Sequence, residues 1–427
     1  MFSRRLQELT AADVQGVVDG QLQEDAEVEF KETLPAKTGQ DRWMKDQQQV
    51  GDYARNELLA EVIAFANAFG GTMVLGVAES DDKPARAKVV VPLPKCVDLA
   101  DRLRLQCRDC IEPQIPMLEV VGVPVQPDGA GVVVFRAPRS RMAPHRHTVT
   151  RECYARRADR TEKMTMREIQ DLTLNVERGL TAIESEFTRS AKAFGERFAG
   201  FVENHEAFGM RATAVPLIPI SIEDLQKNPE AHLPLVRIAG LVEEDKQIPN
   251  AKDFNVVVFL PIDHVNYRPT LRGIDGKGGH KDFALELYGS ASGLLEYRLM
   301  IKLGGQQADA RARAIFPDWV MGMAANCICG IERYRRLAAA TEVEYGLELQ
   351  ITSTIPANIG RYGGGGFTDL GPFPKGVTNF PRYSVGSPDE FTELGALVER
   401  DFWNAAGHAF GSRLVIDFKR ALKDLGL

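Results

Sequence analysis

The 427-residue chain lacks several marks that would fix its class at once. No apolar run reaches the roughly 18 residues that a membrane-spanning helix needs. The opening residues, Met1-Phe2-Ser3-Arg4-Arg5-Leu6-Gln7-Glu8, have no hydrophobic core of a signal peptide. Both absences point to a cytoplasmic protein with no membrane partner. Cysteine is sparse, with six residues, which fits a reducing compartment. Cys107 and Cys110 form a CxxC pair, and Cys327 and Cys329 lie close together. Neither pair has a partner pair at zinc-finger spacing. Cys107 and Cys110 fall three apart in a helix-like segment, so they read as one buried helix face. No GxxxxGK followed by Ser or Thr occurs, and the glycines at 363–366 have no such residues after them. An ATPase of that type is therefore excluded. No internal repeat occurs at a fixed period.

What is present is ordinary in bulk and uneven in detail. The composition is 44% hydrophobic and 26% charged, as in soluble globular proteins. The length allows two or three domains. Net charge is −7, so the whole molecule is not a basic nucleic-acid coat. Yet Arg136–Glu168 holds ten Lys/Arg against four Asp/Glu. A local positive field of this kind holds a polyanion even when total charge is negative.

The pattern of elements is α+β. A helical N-terminus with Thr10 as N-cap precedes a short strand, Glu27–Lys31. A polar loop over 33–52 leads to an amphipathic helix from about Arg55 to Phe69, ended by Gly70-Gly71. Thr72–Val77 reads as a buried strand. Further strands are expected at 87–92, 117–124, 131–136 and 151–156, with a helix at 96–112. Thr165 is expected to cap the next helix. Beyond it, one long helix or two broken ones run from Leu174 to His205. Strand-like runs then alternate with helices, among them Phe254–Leu260. The expected division is a mixed-sheet N-terminal domain, 1–178, and a second α+β domain, 179–427.

The chemistry concentrates near the N-terminus. Glu24-Asp25-Ala26-Glu27-Val28-Glu29-Phe30-Lys31 packs four carboxylates and a lysine into eight residues. Such a cluster repels itself unless cations or neighbouring bases hold it together. In a strand, Val28 and Phe30 point to the core while Glu27, Glu29 and Lys31 share the other face. Glu24 reaches that face only if the chain bends. A second acidic group, Glu79, Asp81 and Asp82, follows the Thr72–Val77 strand. If the two groups meet, they provide what a metal-dependent phosphodiester-cleaving enzyme needs.

Several of these residues carry a resemblance. They are Glu24 with Glu29-Phe30-Lys31, and Ala64-Phe65-Ala66-Asn67 with Gly70-Gly71 and Gly76-Val77. Tyr154-Ala155-Arg156 with Thr161 completes the set. Together they resemble the Schlafen-type AlbA-like domain, over about residues 8–178. The resemblance implies nucleic-acid binding and, in members with an acidic triad, metal-dependent cleavage of structured RNA such as tRNA. It implies catalytic roles for Glu24, Glu29, Lys31 and Glu79. Glu29 and Glu79 would be direct ligands of Mg²⁺ or Mn²⁺, and Glu24 would complete the site. Glu27 competes with Glu24 on strand geometry, and Asp81 is the alternate to Glu79. Lys31 would stabilise charge on the scissile phosphate.

Arg139, Arg141, Arg146, Arg151, Arg156 and Arg157 form the expected phosphate-binding strip, together with His145 and His147. Tyr154 is expected either to stack on a base or to join the core. Asn67 reads as a structural anchor. Two functions stay open: an RNA endonuclease, acting in stress or anti-phage defence, and a non-catalytic nucleic-acid-binding regulator. RNA is the favoured partner. The resemblance also implies self-association into a homo-oligomer, because one small lobe presents half of a cradle for a long RNA. The C-terminal domain is assigned to sensing, substrate selection or assembly.

Overall fold

The computed structural model describes residues 2, 5–81, 84–157, 160–233, 235, 242–243, 265–304, 313–363, 366–408 and 415–427. Asp82 and the expected strand Phe254–Leu260 lie outside the described residues. The chain divides into two compact units, residues 1–181 with 339–343, and 182–338 with 344–427. Both mix helices with sheets, as the α+β pattern requires.

The first unit begins with α1, Ala11–Asp19, whose start is fixed by the Asp13 carboxylate accepting from the Thr10 N–H at 2.9 Å. Next come β1 (Val28–Lys31), α2 (Asp52–Asn67), β2 (Gly70–Leu75), β3 (Val77–Glu79) and β4 (Ala87–Val90). They are followed by α3 (Cys96–Cys110), β5 (Glu119–Pro124), β6 (Gly131–Pro138), β7 (Tyr154–Arg157) and β8 (Arg160–Lys163). A four-stranded sheet runs in the order β1-β2-β6-β5. Here β1 is parallel to β2, with Glu29 opposite Met73 and Lys31 opposite Leu75, and the other pairs are antiparallel.

Strand alternation explains why both faces of this sheet are covered. Val28, Phe30, Val74, Val132 and Val134 pack with Val14 and Val17 of α1 on one face. Met73, Leu75, Val133 and Phe135 pack with Leu58, Leu59 and Leu103 of α2 and α3 on the other. Cys107 joins this second cluster and Cys110 packs beside it, so the CxxC pair belongs to the helix face. The helix α2 ends earlier than expected, at Asn67. Gly70 takes φ +81 as β2 opens, a region that favours glycine. A Cβ at Gly71 would collide with the Phe65 ring.

A single helix of 37 residues, α4, covers Met166–Val202. The second unit contains β9 (Ala207–Pro216), β10 (Asn266–Thr270), β11 (Gly273–His280), β12 (Phe283–Ser290) and β13 (Leu295–Lys302). After α5 (Pro317–Leu337) come β14 (Tyr345–Ser353), β15 (Gly376–Asn379), β16 (Tyr383–Val385) and α6 (Phe391–Ala405). Its main sheet has the order β10-β11-β12-β13-β9-β14-β15, with β16 also on β14. The strongly buried α5 packs against β9 and β13.

On the other face, Glu286, Arg298, Arg211 and Gln350 stand opposite one another across four strands. Arg211 is fully buried there and donates to Glu348 at 2.6 Å and Thr213 at 2.7 Å. A buried guanidinium is tolerated only with such partners.

Candidate functional site

The edge strand β1 aims Glu29 and Lys31 at the α2 side of its sheet. Glu29 is 4% exposed, and its two oxygens are both engaged. One accepts from Lys31 Nζ and the other from Arg156 Nη2. Arg156 comes from β7, is itself 4% exposed, and also donates to Glu61 Oε2 at 2.9 Å. Its guanidinium lies 5.0 Å from the centroid of the Phe65 ring. Thr161 of β8 donates to the same Glu61 oxygen, at 2.5 Å. Lys31 Nζ lies 3.8 Å from the other Glu61 oxygen.

These contacts set the ionisation of the cluster. Burial opposes the charge on Lys31, but Glu29 and Glu61 outweigh it and raise the lysine pKa. Burial and the Glu29 charge raise Glu61, against the pull of Lys31, Thr161 and Arg156. Glu61 is a member that sequence reasoning missed. Its signal was present, as one carboxylate inside the buried α2 run from Leu58 to Asn67.

Glu24 completes the cluster from outside the strand. Its N–H donates to the Ala85 carbonyl at 2.9 Å, and its Oε1 accepts from the Phe30 N–H at 2.8 Å. Chain bending, not strand alternation, brings it in. Its carboxyl is pushed up to about 7, first by burial, then by the charges of Glu29 and Glu79 and a hydrogen bond with Glu79; only the Phe30 N–H opposes. Glu79 ends β3, so the two acidic segments do meet. Glu79, not Asp81, is the later acid that acts on Glu24. Glu27 is exposed and its N–H is turned to Asp25.

Four carboxylates thus gather around two cations. Lys31 and Arg156 serve Glu29 and Glu61, while the Glu24–Glu79 pair is left to share a proton or a cation. Among the described residues, no three His, Cys, Asp or Glu form a metal-ligand group. The donor chemistry still suits a hard divalent cation, since Mg²⁺ is commonly held by one or two carboxylates with water and phosphate completing its shell. The residues to hold it would be Glu24 and Glu79. Glu29 stands behind them, tied to Lys31 and Arg156, rather than in the direct role expected for it.

The arginine strip divides into two kinds. Arg156 is removed from the expected phosphate-binding surface, because the buried carboxylates of Glu29 and Glu61 require it. Arg139 and Arg151 are exposed. Arg146 is exposed and donates to Glu112 at 2.8 Å. Arg157 is exposed and pairs with Glu162 at 2.6 Å and with Glu168. Surface pairs of this kind are worth at most about 1 kcal/mol, so a phosphate can displace them. Arg141 is half-buried. Tyr154 is also half-buried and packs on the α2 core cluster, with its hydroxyl 3.4 Å from Thr150 Oγ1. The core reading of Tyr154 is the one the packing supports.

His145 and His147 are fully buried, so they too leave the strip. His145 Nδ1 lies 2.7 Å from the Pro113 carbonyl, and burial lowers the pKa of both imidazoles. Asn67 is the anchor expected of it. Its Nδ2 donates to the Tyr154 carbonyl at 2.9 Å, two residues before Arg156.

Residues 24–165 match the model of the family described as Schlafen, AlbA_2, and this segment is an AlbA-like domain of that type. The match connects the segment to nucleic-acid-related function. A solved structure is also similar: the N-terminal domain of a protein from Nitrosomonas europaea described as related to the ATP-dependent DNA helicase RecG. It is 20% identical over 31% of this chain and 74% of that one, with a TM-score of 0.20. No curated protein matches the chain.

Proposed function

We propose that the AlbA-like domain is a divalent-metal-dependent endoribonuclease that acts on structured RNA such as tRNA. The observation that carries this reading is the charge imbalance of the cluster. Two cations meet four carboxylates, and the surplus falls on Glu24 and Glu79 at the mouth of the site. When bound there, Mg²⁺ or Mn²⁺ would polarise a phosphoryl oxygen and acidify a water molecule.

The chain's own residues do the rest. Glu24, whose carboxyl is raised to about 7 by burial and the neighbouring carboxylates, would give up its proton as a cation binds there. Lys31 keeps its charge beside Glu29 and Glu61 and reaches the surface with a side chain 30% exposed. From there it stabilises negative charge on the phosphate. Arg139, Arg146, Arg151 and Arg157 supply the sequence-independent hold on the backbone. The preference for RNA follows from the family resemblance, and a role in stress or anti-phage defence and a cytoplasmic location are part of the same proposal. No described helix is long and apolar enough to cross a membrane.

A second reading, a nucleic-acid-binding regulator without cleavage, is favoured by the full engagement of Glu29. The two separate in one experiment. Purified full-length chain is incubated with tRNA, bulk RNA and single- and double-stranded DNA, with Mg²⁺, Mn²⁺ or chelator. The nuclease reading expects cleavage of RNA that chelator abolishes and Glu79→Gln abolishes without loss of binding. Binding with no cleavage under any condition establishes the regulator instead.

A further inference from the structure

The turn between α2 and β2 sets one aromatic ring in solvent. Phe69 is 63% exposed, whereas every other phenylalanine and tryptophan with a described side chain is buried or half-buried. The backbone on both sides of it is pinned. Two residues earlier, the Asn67 side chain bonds to His145 and Tyr154. The Ala66 carbonyl accepts from the Ser140 N–H at 2.9 Å. On the other side, Gly70 pairs with Pro138 of β6. A Cβ on Gly70 would stand 2.7 Å from the Arg139 nitrogen, so the two chain segments touch here. A contact residue on so fixed a carrier loses little freedom when it binds.

Arg139 is its neighbour across the turn. The antiparallel register pairs Gly71 with Ala137 and Gly70 with Pro138, so the next positions outward are Phe69 and Arg139. Arg139 is exposed, and its side chain forms no hydrogen bond or ion pair among the described residues. It differs in this from Arg146 and Arg157, which are tied to carboxylates. A ring face beside an uncommitted guanidinium matches the two parts of a nucleotide, base and phosphate. The surrounding segment, Arg136–Glu168, carries ten Lys/Arg against four Asp/Glu, which suits a polyanion better than an apolar protein surface.

In a duplex, each base face is covered by its stacked neighbours. Only an unpaired base in a loop, a bulge or an end offers a face to an aromatic side chain. We propose that Phe69 and Arg139 form a binding site for one unpaired nucleotide, its base stacked on the ring and its phosphate held by the guanidinium. The site rests on the nucleic-acid-binding reading that both alternatives above share, and it needs no cleavage. Phe69 lies four residues before Met73, which pairs with Glu29, or about 13 Å along the strand. The site thus selects strands with an unpaired segment close to the carboxylate cluster.

The full-length chain is titrated, in chelator so that nothing is cut, with a short single-stranded RNA containing 2-aminopurine and with the duplex of the same sequence. Phe69→Ala should weaken single-strand binding roughly 5- to 150-fold. It should leave duplex binding and the melting temperature as in the wild type. The slope of log affinity against log salt should also stay the same, because no charge is removed. Phe69→Trp should restore the affinity. Quenching of 2-aminopurine fluorescence should accompany binding to the wild type and be lost with Phe69→Ala. Single-strand affinity indifferent to Phe69→Ala, or an equal loss on the duplex, overturns this site and leaves nucleic-acid binding standing. A wild type that binds neither form removes the nucleic-acid reading itself, and the site with it.

Discussion

Asn67 and His145 bond to each other in both directions. The Asn67 Nδ2 donates to the His145 carbonyl at 2.9 Å, and its Oδ1 accepts from the His145 N–H at 2.7 Å. The same Nδ2 donates to the Tyr154 carbonyl. The end of α2 is thereby pinned to the segment that delivers Arg156 into the carboxylate cluster.

Replacement of Asn67 should therefore cost stability and disturb the site together. Asn67→Ala leaves two carbonyls and one N–H without a partner, and a loss of about 3 kcal/mol is expected. Urea denaturation measures it. Asn67→Asp should fare little better, because a carboxylate cannot donate to the two carbonyls. A loss under about 0.5 kcal/mol for Asn67→Ala would mean that water readily replaces the amide.

Arg156 should behave as a structural cation. Arg156→Ala leaves one oxygen of the buried Glu29 carboxylate without its donor, with only Lys31 remaining, and leaves Glu61 with less support, so a destabilisation of about 3 kcal/mol is expected. Arg156→Lys should recover part of it, since it restores charge without the forked geometry. The salt dependence of nucleic-acid binding by any folded Arg156 variant should match the wild type. A shallower salt slope would place this guanidinium on phosphate after all.

Exposed arginines should behave in the opposite way. Arg139→Ala and Arg151→Ala are expected to leave the melting temperature unchanged. Each should lower the slope of log affinity against log salt by roughly 0.7–0.9. Binding titrations over a salt series measure this. Slopes equal to the wild type would take both residues off the interface.

The difference between Arg156 and its neighbours shows where sequence reading reaches its limit. Composition exposes an arginine-rich segment, and strand alternation places Glu29 and Lys31 on one face. Both survive in the structure because they depend on local periodicity. Which arginine turns inward depends on Glu61, about a hundred residues earlier on a helix, and no local pattern links the two. The placement of Glu24 was hidden for a related reason. A strand register leaves it on the wrong side, and only the bend held by the Ala85 carbonyl and the Phe30 N–H corrects it. The sequence pattern separates a helix capped by Thr165 from helical sequence beginning at Leu174, whereas the structure runs both into one helix, Met166–Val202.

The Glu24 carboxyl makes stability depend on pH with a definite sign. Its folded pKa of about 7 lies above the ordinary 4.5, so the folded chain holds this proton more tightly. Its contribution to stability is complete below about 4.5 and is lost as pH rises through about 7. In thermal melts over this range, the wild type should lose ground against Glu24→Gln as pH rises. A difference between the two that stays flat with pH would show that burial and the nearby carboxylates do not raise this group. Added Mn²⁺ should restore stability to the wild type at the upper end of the range, and not to the variant.

The most direct measurement is Mn²⁺ binding to the full-length chain near pH 7.5, followed by electron paramagnetic resonance of the free ion. Glu24 and Glu79 are predicted to hold the ion together, so the wild type should take up one Mn²⁺ per chain at this site. The Glu24→Gln/Glu79→Gln double variant should lose it while remaining folded. Equal uptake by both proteins, or none by the wild type even with RNA present, would contradict the assignment.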